Sequence, residues 1–179
     1  GNTQNIDFGL INGKTIFLSS YAGGLFTKVS YSTDKNMKKN IGKLAYFISG
    51  INELINIKRF KLSIKLDDNT EIEEKAILYM IINGDGVGGF DGLDNSANMS
   101  DGLMNIIIIK ETKSAIDLST ILFDLMNNNL VNNNFVRMLT AKKCEIKKIK
   151  KDINVSIDGE EGENEDVLIE FISNKLKIF

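Results

Sequence analysis

Residues 60–82 read FKLSIKLDDNTEIEEKAILYMII, and this stretch decides the fold class. Apolar side chains alternate with lysine or serine over residues 60–66, the period of two that is typical of a strand with one buried face. Residues 67–69, Asp-Asp-Asn, are turn formers, and residues 72–82 are rich in isoleucine. The stretch therefore predicts an antiparallel β-hairpin.

Further strands are predicted on both sides of this hairpin. Asn12-Gly13, a dipeptide that accepts positive φ angles, separates two apolar segments and predicts an opening hairpin. The other predicted strands are residues 6–11, 15–20, 103–109, 135–141, 145–149, 153–157, 167–172 and 175–179. Since strands dominate and pair locally, we expect a mainly β (α+β) domain, either an antiparallel β-sandwich-like fold or an open barrel.

Two helices are expected to pack against the strands. Residues 38–57 repeat apolar side chains every three or four positions, with Gly50 as an interruption. Residues 114–127 show the same period, and Ser114 and Asp117 can share a capping arrangement at the start of that helix.

Composition limits the classes of function. A length of 179 residues with 42% hydrophobic content indicates one domain, and 22 basic against 24 acidic residues exclude nucleic-acid binding driven by overall charge. One cysteine and no histidine exclude an internal disulfide and a cysteine-cluster zinc site. With no run of roughly 20 apolar residues and no signal-peptide pattern, we expect a cytoplasmic protein.

The motif Asp158-Gly159-Glu160 comes directly after a predicted strand, which would present two carboxylates at the tip of a turn. Such a position suits a general base or a metal-binding group. It equally suits an acidic β-turn, because Asp-Gly is a common hairpin dipeptide. Both interpretations stay open from the residues alone.

Residues 84–89, GDGVGG, have the spacing of a dinucleotide-binding glycine loop. Residues 90–101 lack helical periodicity, so no helix amino terminus follows to hold a pyrophosphate. We therefore exclude nicotinamide dinucleotide binding for this loop. The loop ends in Asp101-Gly102, which predicts a turn into the next strand.

Several short motifs are spread over nearly the whole chain. They are IDFGLING at 6–13, AGGLF at 22–26, GKLAY at 42–46, Asn83, GGF at 88–90, Ala97, DGL at 101–103 and DGE at 158–160. In this order they resemble the carboxy-terminal domain of the bacterial diacylglycerol kinase family of soluble lipid kinases. The resemblance implies that residues 1–179 are a single carboxy-terminal domain, the second domain of a two-domain lipid kinase, whose amino-terminal nucleotide-binding domain is absent from the chain.

The resemblance also implies an activity, the phosphorylation of a lipid hydroxyl, in diacylglycerol or a similar lipid, by ATP with Mg²⁺. It implies that Asp158 is the catalytic base and that Glu160 lies near the catalytic Mg²⁺ network. ATP would bind mainly to the absent domain, whose Gly-Gly-Asp-Gly-Thr loop this chain lacks, so the isolated domain is expected to be inactive.

A second, structural Mg²⁺ is implied at Asp101, with the backbone carbonyls of Asn98 and Leu103 as further ligands. Hard oxygen ligands of this kind suit Mg²⁺, and an Asp-Gly turn without metal is the alternative. The family usually has proline before the alanine that matches Ala97, whereas Ser96 stands here.

The lipid and the other partners are assigned less specifically. Phe26 and Tyr46 are candidate substrate-binding residues, as are Phe17 and Leu25, and ordinary core is the alternative for each. Lysines between residues 142 and 151 suit either an anionic membrane surface or, as we prefer, protection of an edge strand. The expected partners are the lipid and the amino-terminal domain, with peripheral membrane contact and a homodimer as further options and no nucleic acid.

Two other functions fit the residues without the resemblance. The chain could be a non-catalytic β-sandwich module that binds lipid or carbohydrate, with Asp158 and Glu160 as turn residues only. It could also be an assembly domain whose exposed strands pair with a second copy.

Overall fold

A computed structural model of the chain describes residues 4–25, 27, 57–84, 99–127, 129–148 and 153–178. These residues contain eleven strands, one α-helix and a short 3₁₀ turn. The strands are β1 (Gln4–Ile11), β2 (Thr15–Phe17), β3 (Ser20–Gly24), β4 (Phe60–Leu66), β5 (Glu71–Ile82), β6 (Met104–Lys110), β7 (Val136–Ala141), β8 (Lys143–Lys148), β9 (Val155–Ile157), β10 (Glu160–Gly162) and β11 (Val167–Ile178). The helix is α1 (Ala115–Met126), and the 3₁₀ turn is Leu130–Asn132.

The strands form one sheet in which every pair is antiparallel. Its order is β10-β9-β3-β5-β4-β8-β11-β1-β2, and β6 pairs with both β5 and β7. Strand β5 is the centre of the sheet because it pairs with β3, β4 and β6. The expected fold class, mainly β with an antiparallel, sandwich-like architecture, is confirmed.

The core consists of two apolar clusters on opposite faces of β5 and β6. Ile106 and Ile108 belong to the larger cluster inside the curled sheet. Ile107 and Ile109 belong to the second cluster, which includes Leu118 of helix α1. Burial on both faces explains why residues 106–109 of β6 are four consecutive isoleucines and not an alternating pattern.

Aromatic rings fill much of the larger cluster. The centroids of neighbouring rings lie 6.0–6.4 Å apart, a spacing at which aromatic pairs attract one another. The rings are those of Phe17, Tyr21, Phe60, Tyr79 and Phe171. Burial raises the pKa of Tyr21 to about 12 and the pKa of Tyr79 well above its usual value, so both phenols are neutral in the fold.

Two local predictions hold in detail. The hairpin at Asn12-Gly13 forms with φ angles of 50° and 68°. Helix α1 begins with the predicted capping pair, since the Asp117 N–H donates to Ser114 Oγ at 3.1 Å and the Ser114 N–H donates to Asp117 Oδ2 at 3.0 Å. The predicted helix over residues 38–57 lies outside the described residues, apart from residue 57.

The division of the chain into strands differs from the prediction in several places. The strand predicted over residues 15–20 ends at residue 17, and a separate strand begins at residue 20. The two strands predicted within residues 167–179 form the single strand β11. Strand β10 was not predicted at all.

Strand β8 lies inside the sheet, which overturns the preferred explanation for its lysines. It pairs with β4 on one side and with β11 on the other, so protection of an edge strand is not what these lysines do. Lys143 instead forms an ion pair with Glu170 at 2.9 Å, and Lys147 forms one with Glu145 at 3.4 Å.

Gly9 allows the ring of Phe17 to pack directly on the backbone of β1. The two residues are cross-strand partners, Phe17 is fully buried, and a Cβ atom at position 9 would overlap its ring. We expect Gly9→Ala to lower the free energy of unfolding by about 1–3 kcal/mol, the usual cost of overpacking a core. Urea denaturation measures this change.

The matched control for this overlap is the Phe17→Leu substitution. In the Gly9→Ala background it should cost less than it does in the parent protein, because the smaller side chain relieves the overlap. Equal costs in both backgrounds would contradict the packing explanation.

Cys144 is fully buried, and its Sγ lies 3.6 Å from Met104 Sδ. Burial raises the pKa of the thiol from 9.0 to about 12. Because the folded pKa lies above the unfolded one, the neutral thiol contributes stability below pH 9 that is lost as pH rises towards 12.

We expect a thiol reagent at pH 8 to modify Cys144 more than about 100-fold faster in denaturing urea than in the native protein, since modification requires opening of the core. Mass spectrometry over a time course measures both rates. Rapid modification of the native protein would show that the thiol is accessible.

Candidate active site

Asp158 occupies the two-residue turn that joins β9 to β10. Its φ angle is 49° and that of Gly159 is 88°, with Ile157 and Glu160 paired across the turn. Positive φ angles at both central residues mark a tight hairpin turn, and aspartate tolerates this region better than most residues. The backbone of the motif therefore forms the acidic β-turn, which was one of the two interpretations that the sequence allowed.

The carboxylate of Asp158 forms hydrogen bonds to a segment outside this turn. Its Oδ2 accepts the N–H of Leu18 at 2.7 Å, and its Oδ1 accepts the N–H groups of Ser19 and Ser20, both at 2.8 Å. The Asp158 N–H in turn donates to the Ser20 carbonyl at 2.8 Å. A carboxylate offers about four acceptor positions, so three hydrogen bonds orient it and leave about one position for another donor.

Two of these three residues, Leu18 and Ser19, are also bound through their carbonyls by Asn83, which directly follows β5. The Asn83 N–H donates to the Ser19 carbonyl at 2.9 Å, and Asn83 Nδ2 donates to the Leu18 carbonyl at 3.1 Å. Because the resemblance implies a catalytic role for Asp158, we call residues 18–20, which bind its carboxylate, the catalytic loop. All six of its backbone N–H and C=O groups have partners from Asp158 or Asn83, which makes it a rigid support for the carboxylate.

Glu160 is the first residue of β10 and is exposed. It follows Asp158 by two residues on the same hairpin, so the structure brings both predicted catalytic residues to one turn. The pair therefore offers two carboxylates at one end of the sheet, one restrained by backbone hydrogen bonds and one on an exposed strand.

Asp101 lies in the turn that leads into β6. Its side chain is exposed, its Oδ1 accepts the Leu103 N–H at 2.9 Å, and Gly102 has a φ angle of 75°. An exposed carboxylate beside the carbonyls of a tight turn is a donor set whose chemistry fits Mg²⁺. Asn98, the third predicted ligand, lies outside the described residues.

Asp7 is a buried acid that the sequence analysis quoted only as part of a motif. It is fully buried in β1, where the pairing with β11 is irregular, and its Oδ2 accepts the Gly102 N–H at 2.7 Å. Its carbonyl also accepts Asn83 Nδ2 at 2.7 Å. The alternation of apolar residues at positions 6, 8 and 10 places Asp7 on the more polar side of the strand, so no signal in the sequence indicates that it is buried. Its burial accompanies the irregular pairing between residues 6 and 8, and a buried aspartate needs hydrogen-bond partners inside the fold.

The candidate lipid residues are only partly described. Phe17 and Leu25 are buried core residues, with 0% and 7% exposure, so neither lines an open apolar cleft. Phe26 and Tyr46 lie outside the described residues.

The described part of the chain offers no further metal cluster and no bilayer-spanning helix. No group of three or more acidic or cysteine side chains there could hold a metal ion. No helix among these residues has the length and apolar character needed to span a bilayer.

Comparison with known proteins places these observations in a family. Residues 20–179 match the family described as the YegS C-terminal NAD kinase beta sandwich-like domain. Over 162 residues the chain is 30% identical to a diacylglycerol kinase of Staphylococcus epidermidis and 29% identical to one of Staphylococcus aureus. Each alignment covers 90% of this chain and 50% of the relative, so the chain spans about half the length of these curated relatives.

Two solved structures from Bacillus anthracis share the fold. A candidate diacylglycerol kinase superposes with a TM-score of 0.75 at 24% identity, covering 98% of this chain and 56% of that one. A second structure, of a diacylglycerol kinase, superposes with a TM-score of 0.62 at 18% identity, covering 98% and 53%.

The family match begins at Ser20, the first residue of β3, and continues to the last residue, through both the Asp101 turn and the Asp158 hairpin. The resemblance to bacterial diacylglycerol kinases is thereby confirmed. The chain belongs to the family of YegS C-terminal NAD kinase beta sandwich-like domains.

Proposed function

We propose that this chain is the carboxy-terminal domain of an ATP- and Mg²⁺-dependent lipid kinase that phosphorylates the hydroxyl of diacylglycerol or a similar lipid. The observation that carries the proposal is the exposed Asp158 carboxylate, which three backbone N–H groups hold in one orientation. Similarity to diacylglycerol kinases supports the reaction class. An amino-terminal nucleotide-binding domain is the partner that would supply most of the ATP site.

Asp158 acts as the general base in this proposal. Phosphoryl transfer depends mainly on positioning and on neutralising charge, and a restrained carboxylate can orient the attacking hydroxyl. The hydroxyl oxygen bonds to the γ-phosphorus, its proton passes to a carboxylate oxygen of Asp158, and the bond to the bridging oxygen breaks to release ADP. The acceptor position that the catalytic loop leaves open on Asp158 is the one that would receive this proton.

Metal ions complete the proposed site. Bound Mg²⁺ would neutralise the charge of the transferring phosphates. Glu160 is exposed on the same hairpin, two residues after Asp158. In this proposal it is the carboxylate of this domain that would lie near the catalytic Mg²⁺. A structural Mg²⁺ would be held by Asp101 with the carbonyls of Asn98 and Leu103, the donor set whose chemistry fits it.

The proposed reaction requires only two features of the lipid, a hydroxyl group and an apolar body. Phe26 and Tyr46 remain the proposed contacts for that body. Diacylglycerol, a polyprenol, a sphingoid base and phosphatidylglycerol all carry a hydroxyl on an apolar body, so a substrate panel has to include each of them.

A second candidate function is a non-catalytic β-sandwich module that binds lipid or carbohydrate. The hydrogen bonds of Asp158 favour it as well, because they give this carboxylate a structural task that requires no reaction. The two functions differ in one consequence: only the kinase needs a nucleotide domain and a reactive carboxylate.

The kinase function requires phosphoryl transfer to a lipid. Joined to an amino-terminal nucleotide-binding domain, this domain should support transfer of the γ-phosphate of ATP to at least one lipid of the panel. We expect Asp158→Asn to lower kcat by about 10²–10⁴-fold, the usual contribution of a general base. Transfer of radiolabelled phosphate to extracted lipid measures the activity.

Folding has to be controlled in this experiment, because Asp158 also supports the catalytic loop. The loss of charge at an exposed, hydrogen-bonded carboxylate should cost about 1–3 kcal/mol of unfolding free energy, so assays are run where urea denaturation shows the variant to be folded. Glu161→Gln, an exposed carboxylate on the same hairpin, should keep kcat within about twofold. A fully active Asp158→Asn variant would exclude Asp158 as the base, whereas the absence of any phosphorylated lipid would favour the binding module.

If Asp101 holds a structural Mg²⁺, the ion should stabilise the fold. At about ten times its dissociation constant, Mg²⁺ should raise the melting temperature of this chain by about 3–6 °C, because it binds only the folded state. Asp101→Asn should remove most of this shift while keeping an acceptor for the Leu103 N–H. Differential scanning fluorimetry at constant ionic strength measures it, with Glu163→Gln as the control; an unchanged shift in Asp101→Asn would exclude Asp101 as a ligand.

A further inference from the structure

We propose that Asn83 is a positioning residue that sets the orientation of Asp158 through the catalytic loop. The inference rests on the proposed function, in which Asp158 is the general base. Asn83 does not bond to Asp158 itself, and it is not one of the residues predicted to touch a substrate or a metal. Its action passes through the backbone of residues 18–20.

The geometry of the catalytic loop supports this role. Asp158 binds the N–H groups of the loop, whereas Asn83 binds the carbonyls of Leu18 and Ser19. Both backbone polar groups of Leu18 are hydrogen-bonded: its N–H donates to Asp158 Oδ2 at 2.7 Å, and its carbonyl accepts Asn83 Nδ2 at 3.1 Å. A displacement of the Leu18 carbonyl would therefore tilt the adjoining N–H groups that aim the carboxylate.

Asn83 is itself fixed from the interior of the domain. It is 3% exposed, and the second hydrogen of its Nδ2 donates to the Asp7 carbonyl at 2.7 Å. The amide thus bridges two carbonyls, that of Asp7 in β1 and that of Leu18 directly after β2, which lie 76 and 65 residues before it in the sequence. Only a side chain with two donor hydrogens on one atom can make this bridge at this position.

A buried acceptor points to a functional reason for asparagine at this site. Asn83 Oδ1 is buried, and no hydrogen-bond partner for it lies within the part of the chain that the structure describes. Native proteins avoid such groups, and those that persist are commonly found where function requires the residue. The donor end of Asn83 is used twice while its acceptor end has no partner among the described residues, as expected if the bridge to the loop is what the residue provides.

A double-mutant cycle on the two-domain kinase tests the proposal. Asn83→Ala should lower kcat about 10–100-fold and change the KM for lipid by less than about twofold, because it misorients the base without touching the substrate. In the Asp158→Asn background the same substitution should lower kcat by less than about twofold, since the base through which it acts is already removed. A role in folding alone would lower the active fraction equally in both backgrounds.

Asn105 provides the matched control. It is 2% exposed on the neighbouring strand, opposite Ile82, and its Nδ2 donates to the Gly84 carbonyl at 3.2 Å and not to the catalytic loop. Asn105→Ala should keep kcat within about twofold once corrected for the folded fraction. Equal losses of kcat for Asn83→Ala and Asn105→Ala would overturn the proposal.

A second measurement needs no kinase activity, so it separates failure of this inference from failure of the proposed function. Amide hydrogen exchange by NMR reports the Leu18, Ser19 and Ser20 N–H groups directly in this chain. Asn83→Ala should raise their exchange rates about five- to tenfold relative to Asn105→Ala, the effect of weakening about one hydrogen bond. If Asn83→Ala does not fold, Asn83→Ser, which keeps one donor, should raise the rates by a smaller factor.

Unchanged exchange of these three amides would overturn the positioning role even if Asp158 is the base. Conversely, a fully active Asp158→Asn variant would exclude Asp158 as the base that the proposed function requires, whatever the exchange rates show. Raised exchange together with a kcat effect that disappears in the Asp158→Asn background would support both.

Discussion

The architecture depends on one carboxylate that meets three backbone N–H groups. Asp158 binds the amides of residues 18–20 at the point where the chain passes from β2 to β3. In the strand order of the sheet, β2 is the last strand at one end, and β10, β9 and β3 are the three strands at the other end. Hydrogen bonds to a charged acceptor are stronger than those between neutral groups, so this contact joins the two ends of the curled sheet.

The same restraint connects fold to proposed function. A base that is already oriented needs little reorganisation when the reacting hydroxyl arrives, and that is where much of the catalytic advantage of a rigid site lies. Asn83 and Asp7 extend the support into the interior, since Asp7 also accepts the N–H of Gly102 beside Asp101. The catalytic loop and the candidate metal turn thus share one hydrogen-bonded frame.

Local patterns predicted local structure well. The alternation over residues 60–66 became β4, and the Ser114 and Asp117 pair capped α1 as expected, because period and capping are set by residues a few positions apart. Non-local pairing was harder to predict. The lysines of β8 suggested an edge strand, yet Ile146 pairs with Ile64 on one side and with Val167 on the other. The strand predicted over residues 15–20 was divided because Asp158 binds the amides of its last residues.

By itself, the sequence determined the antiparallel, mainly β class, the hairpin turns and the position of Asp158 at the tip of one of them. Only the tertiary structure decided what that carboxylate binds and which residues support it. The partners of Asp158 lie 138–140 residues away, and those of the Asn83 amide lie 65 and 76 residues away. Hydrogen bonds over such separations leave no periodic pattern in a sequence, because they depend on strand register and not on neighbouring residues.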